Sequence, residues 1–171
     1  MFYWRITKYN PKDRNSDGYY LKDEWTSYSD INKVYNHSLF TLEEYLKTEA
    51  AYINAIMLFA DCLQVNHFRI VNLEKRMLQG QESQYPIEII ALYASIKEGD
   101  LIKKETIPLI AQLILREDLW CKLESKQMSV HFGYDYYLYI GSKQPCGNTI
   151  KEIEQSGLFV ESIESSPWSE N

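Results

Sequence analysis

Apolar and polar positions alternate from Phe2 to Lys8, with Phe2, Trp4 and Ile6 on one side and Tyr3, Arg5 and Thr7 on the other. A period of two marks a half-buried strand. Residues 9–40 keep no period. Their Asn-Pro and Asp-Gly pairs favour turns, and a connection of this length is expected to be functional or flexible. At Thr41 the period becomes helical. Thr41 and Glu44 form a capping box, each side chain satisfying a backbone N–H that the first helical turn leaves unpaired. Leu42, Tyr45, Leu46, Ala50, Ile53, Ile56, Met57 and Ala60 then recur every three or four residues, which predicts a helix to about Leu63 with one buried stripe.

The stretch His67–Arg76 alternates as a strand, and the polar residues 79–84 read as a turn or mobile hairpin tip. The run "PIEIIALYASI" fits both periods: Ile87, Ile89, Ala91 and Tyr93 by twos, Ile87, Ile90, Ala91 and Ala94 by helical steps. Its β-branched content favours a strand. A second helix is expected from Ile107 to about Arg116, capped by Thr106, with Pro108 tolerated in its first turn and Ile107, Ile110, Ala111 and Ile114 inward. "DLWCKLES" and "MSVHFGYDYYLYI" flank the polar turn "SKQ" and read as two strands of a hairpin. Thr149 and Glu152 suggest a second capping box opening a third helix, with Ile150 and Ile153 as its apolar face and Gly157 ending it; "LFVESI" follows as a last strand. The expected class is α+β. One mostly antiparallel sheet carries about three helices, the first six elements in split β-α-β order and a further β-α-β unit after them. Residues 1–171 read as a single domain with a flexible tail at 165–171.

Composition narrows the function classes. The longest apolar runs, Ala50–Ala60 and Tyr85–Ile96, fall short of the ~20 residues that span a bilayer, and the opening "MFYWRITKYNP" lacks the basic lead and apolar core of a secretory signal. Three widely spaced cysteines, Cys62, Cys121 and Cys146, argue against a disulfide framework or a zinc site, so reduced thiols in a cytoplasmic protein are expected. A net charge of −6 disfavours nucleic acid and favours a basic partner. No glycine-rich phosphate loop and no metal-ligand spacing is present, so neither cofactor nor metal is expected.

Two segments hold the candidate chemistry. Read as one strand, "SVHFGYDYYLYIGS" (Ser129–Ser142) puts Val130, Phe132, Tyr134, Tyr136, Leu138 and Ile140 on a core face and His131, Gly133, Asp135, Tyr137 and Tyr139 on the other. His131 and Asp135 would then lie roughly 13 Å apart, too far for an acid–base pair. The long connection contributes "DGYYLKDEWTSYSDI", in which Tyr19, Tyr20, Trp25 and Tyr28 mingle with Asp17, Asp23, Glu24 and Asp30. Aromatic anchors with acidic neighbours suit capture of a basic protein, while the bland alternative tucks Trp25 and the tyrosines onto the sheet. Cys121, between inward leucines, reads as an inert buried thiol, and Cys146, on a turn, as the accessible one.

The segments "YWRITKYNP", "YYLKDEWTSYSDI", "LREDLWCKLES", "VHFGYDYYLYIG" and "GLFVESIESSPW" resemble small bacterial proteins, some of which look like immunity proteins that bind and silence a toxin's catalytic domain. The resemblance implies a non-enzymatic inhibitor with no catalytic residues. It would bind a cognate, basic toxin, for example a nuclease, in a 1:1 complex without nucleic acid or membrane. The expected contact residues are Tyr19, Tyr20, Asp23, Glu24 and Asp30, with Asp135 and Tyr137 as a second set. The alternative is a small enzyme or ligand-binding domain with a pocket at His131 and Asp135. A third reading is a subunit that self-associates through a sheet edge.

Overall fold

The computed structural model describes residues 1–76, 78, 85–165 and 167. Its elements in chain order are β1 (Phe2–Thr7), the hairpin β2 (Val34–Tyr35) and β3 (Ser38–Leu39), α1 (Leu42–Cys62), β4 (His67–Lys75), α2 (Ile87–Ser95), β5 (Leu101–Lys103), α3 (Ile107–Leu115), β6 (Leu119–Glu124), β7 (Met128–Phe132), β8 (Tyr137–Ser142), α4 (Gly147–Gln155) and β9 (Phe159–Ile163). Seven strands pair antiparallel in the spatial order β5-β4-β6-β7-β8-β1-β9. The α+β class and the antiparallel sheet are as expected. The finer topology differs, since a split β-α-β core sets two neighbouring strands parallel and this sheet has no parallel pair among the described residues.

Helix α1 packs against β7 and β8 and contacts both α3 and α4. The capping box at Thr41 and Glu44 forms as the sequence indicates. Tyr45, Tyr52, Ile56 and Phe59 of α1 meet Ile6, Phe68, Ile70, Leu123, Val130, Leu138 and Ile140 of the strands in one continuous apolar core. Each such side chain withdrawn from water contributes roughly 1.5–3 kcal/mol. The alternation of β1 holds only in part: Ile6 is fully buried and Arg5 lies on the opposite face, paired in register with Glu161, but Phe2 is exposed at one end and Thr7 fully buried at the other. Among the described residues no helix is long and apolar enough to cross a membrane.

Four local expectations are corrected. "PIEIIALYASI" is a helix, α2, not a strand: Pro86 stands at its N-cap, and Ile89, Leu92, Tyr93 and Ile96 fall at helical spacing against the core, outweighing the β-branched preference. Helix α3 begins after a 3-10 turn, so Thr106 is already helical and caps nothing, although Pro108 does sit in the first turn. Helix α4 begins earlier than its Thr149–Glu152 pair suggested: Cys146 is the N-cap, in left-handed backbone (φ 44°), and Thr149 is a buried residue of the first turn. Cys146 is held there by a disulfide to Cys62 at the end of α1, with Cα atoms 6.2 Å apart. The expectation of three reduced thiols, and of an accessible Cys146, is therefore overturned; Cys121 is buried as expected, and burial pushes its thiol up to about 12. The expected tip at 79–84 lies outside the described residues, as does most of the tail at 165–171.

Candidate functional site

The segment "SVHFGYDYYLYIGS" is two strands, not one. β7 ends at Phe132, the chain reverses through Tyr134–Tyr137, and β8 returns antiparallel with His131 opposite Tyr139. Asp135 and Tyr136 both adopt left-handed backbone (φ 54° and 62°), the geometry of a tight hairpin turn, and the Tyr137 N–H donates to the Tyr134 carbonyl at 3.2 Å. Such a conformation costs a bulky residue about 1–2 kcal/mol, and burial of Tyr136 offsets it. Its hydroxyl donates to the Leu115 carbonyl at 2.8 Å, its carbonyl accepts from the Tyr52 hydroxyl at 2.5 Å, and its ring stands edge-on to Trp25. Gly133 is required by crowding, because a Cβ there would lie 2.9 Å from the Tyr139 ring. Tyr134 is left at the tip, 83% exposed.

Residues 9–40 fold back onto this turn. Trp25 is buried, stacked on Phe40 with 4.3 Å between centroids, so it is core. Tyr9 is buried between Tyr20 (4.7 Å) and Tyr137 (5.6 Å). Arg14 reaches Glu161 of β9 at 2.8 Å, and Glu161 also receives two hydrogen bonds from Arg5, tying the segment to the sheet. Burial opposes ionisation of Glu161, and the two guanidiniums overcome it, holding its carboxyl below the usual range. A bridge between Arg14 and Tyr20 closes the tip, with Gly18 in the left-handed backbone the turn needs and Tyr19 71% exposed.

Lys8 is the centre of the knot. Its side chain is only 7% exposed, and its ammonium lies 4.1 Å from the Tyr9 ring centroid, 4.0 Å from that of Trp25 and 2.9 Å from Glu24. Burial pulls its pKa down to about 8, and Glu24, Asp30 and Asp135 oppose that shift. Members of both sets of expected contact residues, Glu24 and Asp30 from the first and Asp135 from the second, thus act on one lysine. The sequence signal for Lys8 is its parity: it continues the face of Trp4 and Ile6 one residue beyond the end of β1.

The expected site residues divide by what their polar atoms already do. Glu24 holds Lys8 and accepts from the Tyr20 hydroxyl at 3.0 Å. Asp30 is buried; it accepts from the backbone N–H groups of Thr26 and Ser27 and from Lys33, and these bonds overcome burial to lower its pKa. Tyr137 lies beneath Tyr9, with Arg5 5.7 Å and Arg14 5.9 Å from its centroid. These four support the scaffold. Tyr19, Asp23 and Asp135 are exposed, and among the described residues neither aspartate carboxylate is engaged in an ion pair. Tyr134, assigned by alternation to the core face, joins them on the surface.

Beside the turn lies a cleft of ≈ 500 Å³. It opens where β7 leaves the sheet, between the ends of β4 and β6, and Trp120, Glu117, Glu74 and Asp135 are among its lining residues. His131 is not. It is buried on the sheet face away from the core, and burial, with Lys122 nearby, lowers its pKa to about 4. His131 and Asp135 therefore do not share this cleft. Glu74, Glu117 and Trp120 were missed because they converge only through strand pairing; Glu74 and Trp120 are register partners.

No family model matches the chain, and no match was found among curated proteins or solved structures.

Proposed function

We propose that this chain is a non-enzymatic inhibitor of the immunity type, which captures a basic toxin domain in a 1:1 complex through the rim of the Lys8 knot. The observation that carries the reading is the division of labour at that rim. Tyr20, Glu24, Asp30 and Tyr137 are occupied in fixing residues 9–40 and the β7–β8 turn, while Tyr19, Asp23, Tyr134 and Asp135 project from the fixed base. Aromatic groups presented on a rigid base bind at small entropic cost. A net charge of −6 speeds encounter with a cationic partner.

The test is co-expression with toxin domains encoded beside this gene, followed by co-purification and a toxicity assay. Neutralisation by a 1:1 complex is expected. Asp23→Lys with Asp135→Asn, which keeps a residue tolerant of left-handed backbone at 135, should slow association by about fivefold at low salt and flatten its salt dependence. Unaltered association kinetics in that variant would remove the rim from the interface. Reducing cytoplasm would keep Cys62 and Cys146 as thiols, so the redox state of this pair in cells decides whether the partner is met there, as the sequence alone suggested.

A further inference from the structure

We propose that the cleft beside the β7–β8 turn receives an arginine side chain of the basic partner. That the arginine belongs to a toxin rests on the inhibitor reading; the preference of the cleft for a guanidinium does not. The cleft has the size range of sites that enclose small groups. Its walls combine the aromatic residues Trp120, Phe132, Tyr134 and Tyr137 with the carboxylates of Glu74, Glu117 and Asp135.

The two cations that line it do not cancel those charges. Lys75 is drawn away, its ammonium bonded to the Tyr93 carbonyl at 2.6 Å and 5.3 Å from the Tyr93 ring centroid. Arg76 makes only a loose, solvent-exposed pair with Glu117 at 3.7 Å, which a better-placed guanidinium would displace. Glu117 is oriented beforehand by the Ser27 hydroxyl, 2.9 Å from its Oε1. The Trp120 indole is anchored by its N–H, which donates to the Phe132 carbonyl at 2.9 Å. A guanidinium matches both wall types: its planar fork pairs with carboxylates and its face stacks on aromatic rings, which an ammonium does less well.

The experiment uses the full chain and agmatine, an alkylguanidinium, as probe. Binding is followed at the Trp120 indole N–H resonance, assigned with Trp120→Phe. A saturable shift is expected. Glu74→Gln, Glu117→Gln and Asp135→Asn combined should weaken the affinity by about tenfold or more, while Glu43→Gln, on the exposed face of α1 and outside the cleft, leaves it unaltered. If the combined variant fails to fold, Asp135→Asn alone serves, because asparagine tolerates left-handed backbone, with a loss of about threefold expected. The proposal is overturned by no saturable shift in the unaltered protein, by equal affinity in the neutralised variants, or by an equal shift from uncharged butylurea. The toxin reading stands or falls separately on co-purification, so each can fail without the other.

Discussion

Glu24→Gln isolates the electrostatic contribution at the centre of the knot. The glutamine side chain is nearly isosteric with that of Glu24 and still accepts from Tyr20, but it no longer offsets the buried ammonium of Lys8, 2.9 Å away. The lysine then has an escape: it sheds its proton. With a folded pKa of about 8, the bound proton stabilises the native state, relative to a variant whose Lys8 stays neutral, by at most about 1.4 kcal/mol at about pH 7. The same relation gives about 2.7 kcal/mol at about pH 6 and less than about 0.1 kcal/mol at about pH 9, where Lys8 is already mostly neutral in the unaltered protein. The sign follows from proton counts, since loss of a proton-binding group in the folded state weakens folding most where that proton would be bound. Urea unfolding followed by tryptophan fluorescence at three pH values measures the difference. A loss of stability independent of pH, or one that grows toward alkali, would refute the charged, Glu24-compensated lysine.

Three further outcomes are expected. His131 has a folded pKa of about 4 against an unfolded value near 6.5, so the unfolded chain takes its proton first; stability should fall by up to about 3 kcal/mol as pH drops through that interval, and urea titrations of His131→Gln should lose that acid slope. Tyr136→Phe removes the bond to the Leu115 carbonyl and should cost about 1–2 kcal/mol in chemical denaturation, with no cost if the ring alone holds the turn. Reducing the Cys62–Cys146 bridge, whose partners are 84 residues apart, should cost up to about 4.5 kcal/mol by loop-closure entropy. Alkylation of unfolded, unreduced protein should label Cys121 alone, and labelling of three thiols would exclude the bridge.

What the sequence made legible was local. Both halves of the Thr41–Glu44 box lie within one turn, so the start of α1 was legible. Its buried stripe was read only in part: Tyr45, Ile56 and Ala60 are buried, whereas Leu42, Leu46 and Ala50 are exposed and Tyr52 and Phe59 face the core instead. In "PIEIIALYASI" apolar residues satisfy both periods, so only packing of Ile89 and Ile96 against the core decides. The reversal inside "SVHFGYDYYLYIGS" was hidden because Asp-Tyr, rather than Asn-Gly or Asp-Gly, occupies the left-handed pair. Alternation still assigned His131, Tyr137 and Tyr139 to one face, because the register pairs residues an even number apart, His131 with Tyr139 and Phe132 with Leu138, so parity carries across the reversal. It failed at Tyr134, which the turn throws outward. Cys62 and Cys146 carry no spacing signal, since only the docking of α4 beside α1 unites them.

Several departures from local preference lie where these segments meet. A tyrosine in left-handed backbone, a lysine with a buried side chain just beyond β1 and a buried aspartate all lie at the Thr7 end of that strand or on the elements packed against it. Helices α1 and α3 carry a further departure, Glu49, a buried carboxylate paired with Arg116 at 2.7 Å. Each departure at the knot costs stability by itself and is offset by a neighbour: Tyr52 and Leu115 for Tyr136, Glu24 for Lys8, Thr26 and Ser27 for Asp30. Mutual dependence of this kind fixes residues 9–40 and the β7–β8 turn as one unit. A unit so fixed gives Tyr19, Asp23, Tyr134 and Asp135 definite positions before any partner arrives, which is the property a surface that works by capture requires.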